Sequence, residues 1–260
     1  RHGHSGLQKK PSWEIPFYSS VRDHNWKVMT SMYCAFDRWE DATGAALRIF
    51  DPFAYRPALY ERMVPVSLSE CPALAERWPV MWRRDGLGDP ELVVLRGLRA
   101  DAEMPDARTQ NRASLPLLVQ AYPFRFRDPA QGDEIGLERA APMRERDSGS
   151  YILDEQANLL PGAELKVRAL EAWAEDIETR ALLTEVVFRN ALVERVVLPE
   201  GLAERFELPD FFSVTPAPDD ALILSAIPRE HWLLVARFLA AQRLSLYTMA
   251  RLIALAGEPA

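Results

Sequence analysis

Cysteine and histidine are scarce in this 260-residue chain, which holds two of the first and four of the second. Cys34 and Cys71 are too few and too far apart for a disulfide framework or a cysteine-based zinc site, so both are read as buried reduced thiols. His2 and His4 fall in a polar opening stretch, which leaves His24 and His231 for any imidazole chemistry. His24 with Asp23, Asp37 or Asp41 comes nearest to a histidine–carboxylate iron site, but one imidazole does not complete it. No structural metal is expected. Long apolar runs are missing as well: none reaches the roughly 18 residues that would mark a membrane-spanning helix. Arg1 to Lys10 lacks the apolar centre of a signal peptide, so the cytoplasm is the expected compartment. Basic residues are in deficit, 31 Lys and Arg against 38 Asp and Glu, for a net charge of −7. That balance argues against general nucleic-acid binding, which needs a basic footprint to displace phosphate counterions.

Catalytic signatures are equally thin. Gly86-Leu87-Gly88 stands alone in a turn without the Lys and Ser or Thr of a phosphate-binding loop. There is no His-Glu-x-x-His, no paired-cysteine motif and no EF-hand loop. His231 has Ser225 and Ser245 within sequence reach, but neither sits in a Gly-x-Ser-x-Gly elbow. No catalytic residue and no cofactor are expected.

What is present is ordinary globular material with an uneven distribution of aromatics. Hydrophobic residues make up 48% and charged residues 27%, which separates the chain from the disordered class, and its length allows a sizeable core. Residues 1–12 read as a polar tail. From Trp13 to Tyr60 stand eleven aromatics, preceded by Pro11, interrupted by Pro16, Pro52 and Pro57 and without a clear period. This segment reads as an irregular wrap with one short helix near 41–50. Tyr and Trp suit binding sites as well as cores, so the segment is also a candidate contact surface.

Residues 62–139 form a β-rich part. Ser69 to Arg77 is a short helix with Ser69 as its cap and Pro72 in its first turn. Pro79 to Arg84 and Glu91 to Leu98 are strands joined by the Asp85–Pro90 turn. Leu115 to Phe126 reads as a third strand, with residues 118, 122, 124 and 126 on one face and Arg125 and Arg127 towards water. Pro123 has no N–H to give a sheet, which limits that strand to an edge or a bulge. Glu134 to Arg139 is a fourth. After a charged loop at 140–150 the pattern turns helical across 151–256. One helix runs from about 176 to 198, stopped by Pro199 and Gly201. The last starts near Pro228 and is apolar around most of its circumference, so it is expected at the centre of a helical layer rather than at the surface.

Several pieces, in order, carry a resemblance. They are Val64-Pro65-Val66, Ser69-Glu70, Arg77-Trp78-Pro79-Val80-Met81-Trp82, Leu95-Arg96-Gly97-Leu98, and Leu115-Pro116 through Tyr122-Pro123-Phe124. Glu178-Thr179-Arg180-Ala181 and Trp232 to Arg251, with Leu244-Ser245-Leu246, follow in the C-terminal half. Over about residues 62–255 the chain resembles the SapC family of bacterial proteins. The resemblance implies an association with surface-layer protein operons, and with genes near TonB-dependent receptors and flavin-dependent tryptophan halogenases. It supplies no catalytic residues to carry over.

The expected fold is α+β: an antiparallel sheet from about residues 80–139 packed against C-terminal helices, with the aromatic segment wrapped over them in one domain, 13–260. The expected function is that of a non-catalytic accessory or binding protein that engages a protein or peptide partner. The alternative is an enzyme, or a subunit of one, acting on amino-acid or peptide substrates. The candidate ligand-binding residues are Trp78, Trp82 and Tyr122, with Arg125 at the rim, on the expectation that the Trp82 and Tyr122 strands share one sheet.

Overall fold

The computed structural model describes residues 36–38, 47–85, 88–109, 111–127, 134–139, 141, 149–215 and 220–257. The polar tail and most of the aromatic wrap lie outside the described residues. So does most of the helix expected near 41–50, whose described end is a strand. In chain order the described elements open with β1 (Phe36–Arg38), β2 (Arg48–Ile49), α1 (Arg56–Tyr60), β3 (Met63–Pro65), α2 (Cys71–Ala75), β4 (Val80–Arg84) and β5 (Pro90–Leu95). Next come α3 (Pro105–Thr109), α4 (Leu117–Ala121), β6 (Phe124–Phe126), β7 (Ile135–Glu138), β8 (Ser150–Tyr151), α5 (Pro161–Ala174) and α6 (Ile177–Arg189). The chain continues through β9 (Val193–Arg195), α7 (Leu202–Phe206), β10 (Phe211–Val214), α8 (Asp220–Ser225), α9 (Trp232–Ser245) and α10 (Thr248–Gly257).

The fold is α+β and every strand pair in it is antiparallel. The β4–β5 hairpin forms from two short apolar runs on either side of a turn, with Val80 opposite Val94 and Arg84 opposite Pro90. Gly88 takes a φ of 91° in the connecting turn, a left-handed conformation that favours glycine.

Among the described residues the expected single sheet is instead three. The largest has the order β3-β5-β4-β10-β9, and so draws two of its strands from beyond residue 190. A second has the order β1-β7-β6, and β2 pairs with β8. Strand pairing across more than a hundred residues leaves no local signal, which is why the clustering of strands in sequence suggested one sheet. The smaller sheet is close-set: a Cβ on Gly136 would collide with both the Asp37 carbonyl oxygen and the Phe36 ring.

Leu115 to Phe126 is the second correction. Leu117 to Ala121 is helical, the Tyr122–Pro123 peptide bond is cis, and only Phe124 to Phe126 is strand. Leu115, Leu118, Val119 and Tyr122 are all buried, at helical rather than alternating spacing. Among the described strands β6 is an edge of its sheet, as Pro123 requires.

The helix expected over 176–198 stops at Arg189. Ala191 takes a φ of 52°, its N–H bonds the Phe188 carbonyl, and the Leu192 N–H reaches back to Val187 at 2.8 Å. This pair of bonds is the Schellman closure of a helix, formed here without the usual glycine.

The core lies between the five-stranded sheet and helices α6 and α9. Trp82 of β4 packs edge-on against Phe188 and Phe238, and Phe188 against Phe212. Helix α2 lies on α9, while α4 packs on α5 and α5 on β6. The terminal helix is in two parts, α9 and α10, joined by i→i+3 backbone bonds through Leu246 and Tyr247.

Candidate functional site

Among the described residues three polar clusters and one apolar surface stand out. The first cluster forms where β3 leaves the sheet. Residues 66–70 turn into α2, and Glu70 is drawn inward: one carboxylate oxygen accepts the Ser67 N–H at 2.8 Å, the other the Leu117 N–H at 2.7 Å. Leu117 opens α4, so the carboxylate meets one of the orphan donors of a helix start. Asp176, just before α6, accepts the Ser69 N–H at 2.9 Å and an Arg180 N–H at 3.1 Å. Arg180 also donates to the Val66 carbonyl at 3.0 Å and stacks over Trp173 at 4.6 Å. Cys71 donates its thiol to the Ser67 carbonyl at 3.0 Å. The Ser69 side chain does not cap α2; the residue is exposed, and Glu70 precedes the helix.

Withdrawal from water governs the charges here. It pushes the Glu70 carboxyl up to about 7, against the backbone N–H bonds and Arg180 that pull it down. Burial raises the Cys71 thiol well above its ordinary value, and the neighbouring carboxylates raise it further. A thiol so held is the opposite of an activated nucleophile. Asp176 is raised by burial and Arg180 lowered by it, each partly restored by the other.

The second cluster is Arg96, fully buried after β5. Its guanidinium grips Asp106 with bonds of 2.9 and 2.7 Å and donates to the carbonyls of Pro57, Ala58 and Glu61 at the end of α1. All its donors serve the fold.

The third is Lys166 on α5, whose ammonium donates to the Tyr122 carbonyl at 2.7 Å and the Gln120 carbonyl at 3.3 Å and lies 5.1 Å from the Tyr55 ring centre. Burial, aided by Arg112, pulls this lysine down to about 7. Tyr55 packs edge-on against Tyr122, accepts the Phe50 N–H at 2.9 Å, and is pushed up by burial to about 12.

The structure does not gather the four sequence-derived candidates into one groove. Trp82 is fully buried, its indole N–H bonded to Thr184, and Trp78 is buried beneath Arg251. Tyr122 is buried at the junction of α4 and β6. The Trp82 and Tyr122 strands do not share a sheet, because β4 and β6 belong to different ones. Arg125 does not stand free in water either: its side chain is 17% exposed, 3.8 Å from the buried Glu138 carboxylate and 5.8 Å from the Phe36 ring centre. Large aromatics beside a hairpin are what a sheet–helix core consumes first.

The feature missed in the sequence is on the terminal helices. Far from being enclosed, α9 and α10 bury one face and expose the other. Leu233 is 64% exposed, Leu244 66%, Tyr247 81% and Leu255 38%. The available signal was the spacing of Leu233, Ala240 and Tyr247, seven residues apart and alternating with the buried Val235, Phe238 and Gln242.

Among the described residues no group of three or more His, Cys, Asp and Glu side chains is placed to hold a metal ion, and no helix is long and apolar enough to cross a membrane. No curated protein and no solved structure matches the chain. The family model described as SapC matches residues 45–217, from the strand before α1 to just past β10, and takes in the Glu70–Asp176–Arg180 and Arg96–Asp106 clusters. These two clusters knit together the segments that carry the resemblance, and the chain belongs to the SapC family.

Proposed function

We propose that this protein is a non-catalytic accessory protein that engages a protein partner through the exposed face of α9 and α10. The observation that carries the reading is the exposure of Leu233, Ala240, Leu244 and Tyr247, which at about 3.6 residues per turn fall on one side of α9 and its end, with Leu255 exposed on α10. Contiguous apolar surface of this kind on a folded domain marks an interaction site, whereas scattered single residues do not. The reading is supported from the other side by the polar clusters. Glu70, Cys71, Asp176, Arg180, Arg96 and Lys166 each spend their hydrogen bonds on the protein's own backbone and side chains. The surface-layer protein operon that the resemblance associates with the family's namesake makes bacterial envelope proteins the first partners to try.

The test is a comparison of the wild type with the double variant Leu244→Glu, Tyr247→Glu as bait in cross-linked bacterial extract. Both residues are exposed, so the variant should keep the wild-type circular dichroism and melting temperature. A partner recovered with the wild type and lost with the folded variant supports the reading. Equal recovery by both places the interface elsewhere.

A further inference from the structure

The same face says what kind of partner it fits, and the inference rests on the reading just given. Between Trp232 and Gly257 the chain carries three arginines and not one acidic residue, within a protein whose net charge is −7. Arg243 is spent, since its guanidinium is paired with Asp220. Arg237 and Arg251 remain on the exposed side, with Arg251 lying across the Trp78 ring at 5.4 Å and neither in an ion pair among the described residues. The face is therefore apolar and cationic, in contrast to the acidic remainder.

Its relief is uneven. Ala236, Ala240, Ala250 and Ala254 are exposed between the larger Leu233, Leu244, Tyr247 and Leu255. Small positions between large ones make the shallow holes that receive the side chains of a facing helix. A lipid surface would reward bulk at every position instead. A second copy of this chain, docked face to face, would bring arginines towards arginines with no acid to separate them. From these three observations we infer that the α9–α10 face binds an acidic amphipathic helix of a partner protein, with apolar residues in the alanine holes and Asp or Glu beside Arg237 and Arg251. This is the helix-on-groove mode of recognition, read out at i, i+3, i+4 and i+7.

The probe is a synthetic helix of about three heptads with Leu at the a and d positions and Glu at e and g, used below its self-association concentration. A twin carries Lys in place of every Glu. Binding to the full chain is read by fluorescence anisotropy. The acidic helix should bind at least about tenfold tighter than the basic one, and the preference should shrink with added salt. The variant Arg237→Glu, Arg251→Glu should reverse the order. Equal binding of the two helices, or a preference unmoved by that variant, overturns the inference. So does binding to vesicles containing about a third anionic lipid without binding to the acidic helix. A dimer in light scattering that dissociates on Leu244→Glu would assign the face to a second copy and overturn it as well. If the acidic helix fails while the Leu244→Glu, Tyr247→Glu variant still loses its extract partner, this inference falls and the proposed function stands.

Discussion

At the scale of single residues the fold separates two kinds of charge. Arg96 is enclosed, yet it is satisfied by a two-bond grip on Asp106 and by three backbone carbonyls, which is the condition under which a buried ion survives. Lys166 is different, because only neutral carbonyls receive it. An unfolded lysine holds its proton up to about 10.5, whereas this one gives it up near 7. Between those values the unfolded chain carries a proton that the folded chain has released, so stability rises with pH across the window and the gain is lost as pH falls through 7. Replacing Lys166 with Met removes that dependence. In urea unfolding, the stability of the wild type minus that of Lys166→Met should stay flat below pH 7. It should then grow by about 1 kcal/mol per pH unit between 7.5 and 9.5. Taking the difference cancels Cys71, and stopping at pH 9.5 stays below the values, about 10 unfolded and about 12 folded, at which Tyr55 beside Lys166 titrates. A difference that stays constant to pH 9.5 would mean that the carbonyls keep the ammonium charged.

At the scale of elements, what holds them together is seldom what was visible in their own sequence. The β4–β5 hairpin was legible because each strand is a short apolar run, Val80 to Trp82 and Leu92 to Leu95, and a turn stands between them. Helix α6 was legible too, but not its end. Its stop lies at Ala191, and neither glycine nor proline announces it, because an alanine has been accepted at a φ of 52°. Left-handed backbone costs an L-residue roughly 1–2 kcal/mol relative to glycine. Set against that strain, glycine loses about 0.5–1 kcal/mol more on ordering, so Ala191→Gly should stabilise the protein by a net of about 0.5–1 kcal/mol. The measurement is a shift of the urea midpoint at unchanged slope. A lower midpoint would show that the alanine methyl does packing that outweighs the strain. The same blindness hid the first polar cluster: nothing in the sequence around Glu70 or Asp176 shows that the fold brings Ser67, Ser69 and Leu117 N–H groups to them. The aromatic candidates are buried for the complementary reason. Trp78 and Trp82 looked like binding residues because Trp can be either, and the sheet–helix core had first claim.

At the scale of the whole molecule, the N-terminal β-rich part and the C-terminal helical part are not independent bodies. Strand β4 pairs with β5 on one side and with β10 on the other, so the large sheet is unfinished without residues 193–214. Arg62 donates to the Phe206 carbonyl at 2.7 Å, the Val80 N–H to the Ser245 hydroxyl at 2.9 Å, and Asp176 and Arg180 fasten the 66–69 loop to α6. A polypeptide end at 142–148 cuts none of these contacts. We therefore expect that a specific protease site inserted within residues 142–148 and cleaved will leave two fragments that co-elute in native size-exclusion chromatography. They should unfold together, with tryptophan fluorescence and far-ultraviolet circular dichroism tracing one coincident transition. The cleaved protein should also gain a concentration-dependent midpoint that the intact chain lacks, because its folding has become an association. Separated, the N-terminal fragment would expose the free edge of β4, and it should aggregate rather than fold. Two fragments that part and each show a cooperative transition would mean that the sheet closes within each half, and that the β4–β10 pairing is dispensable.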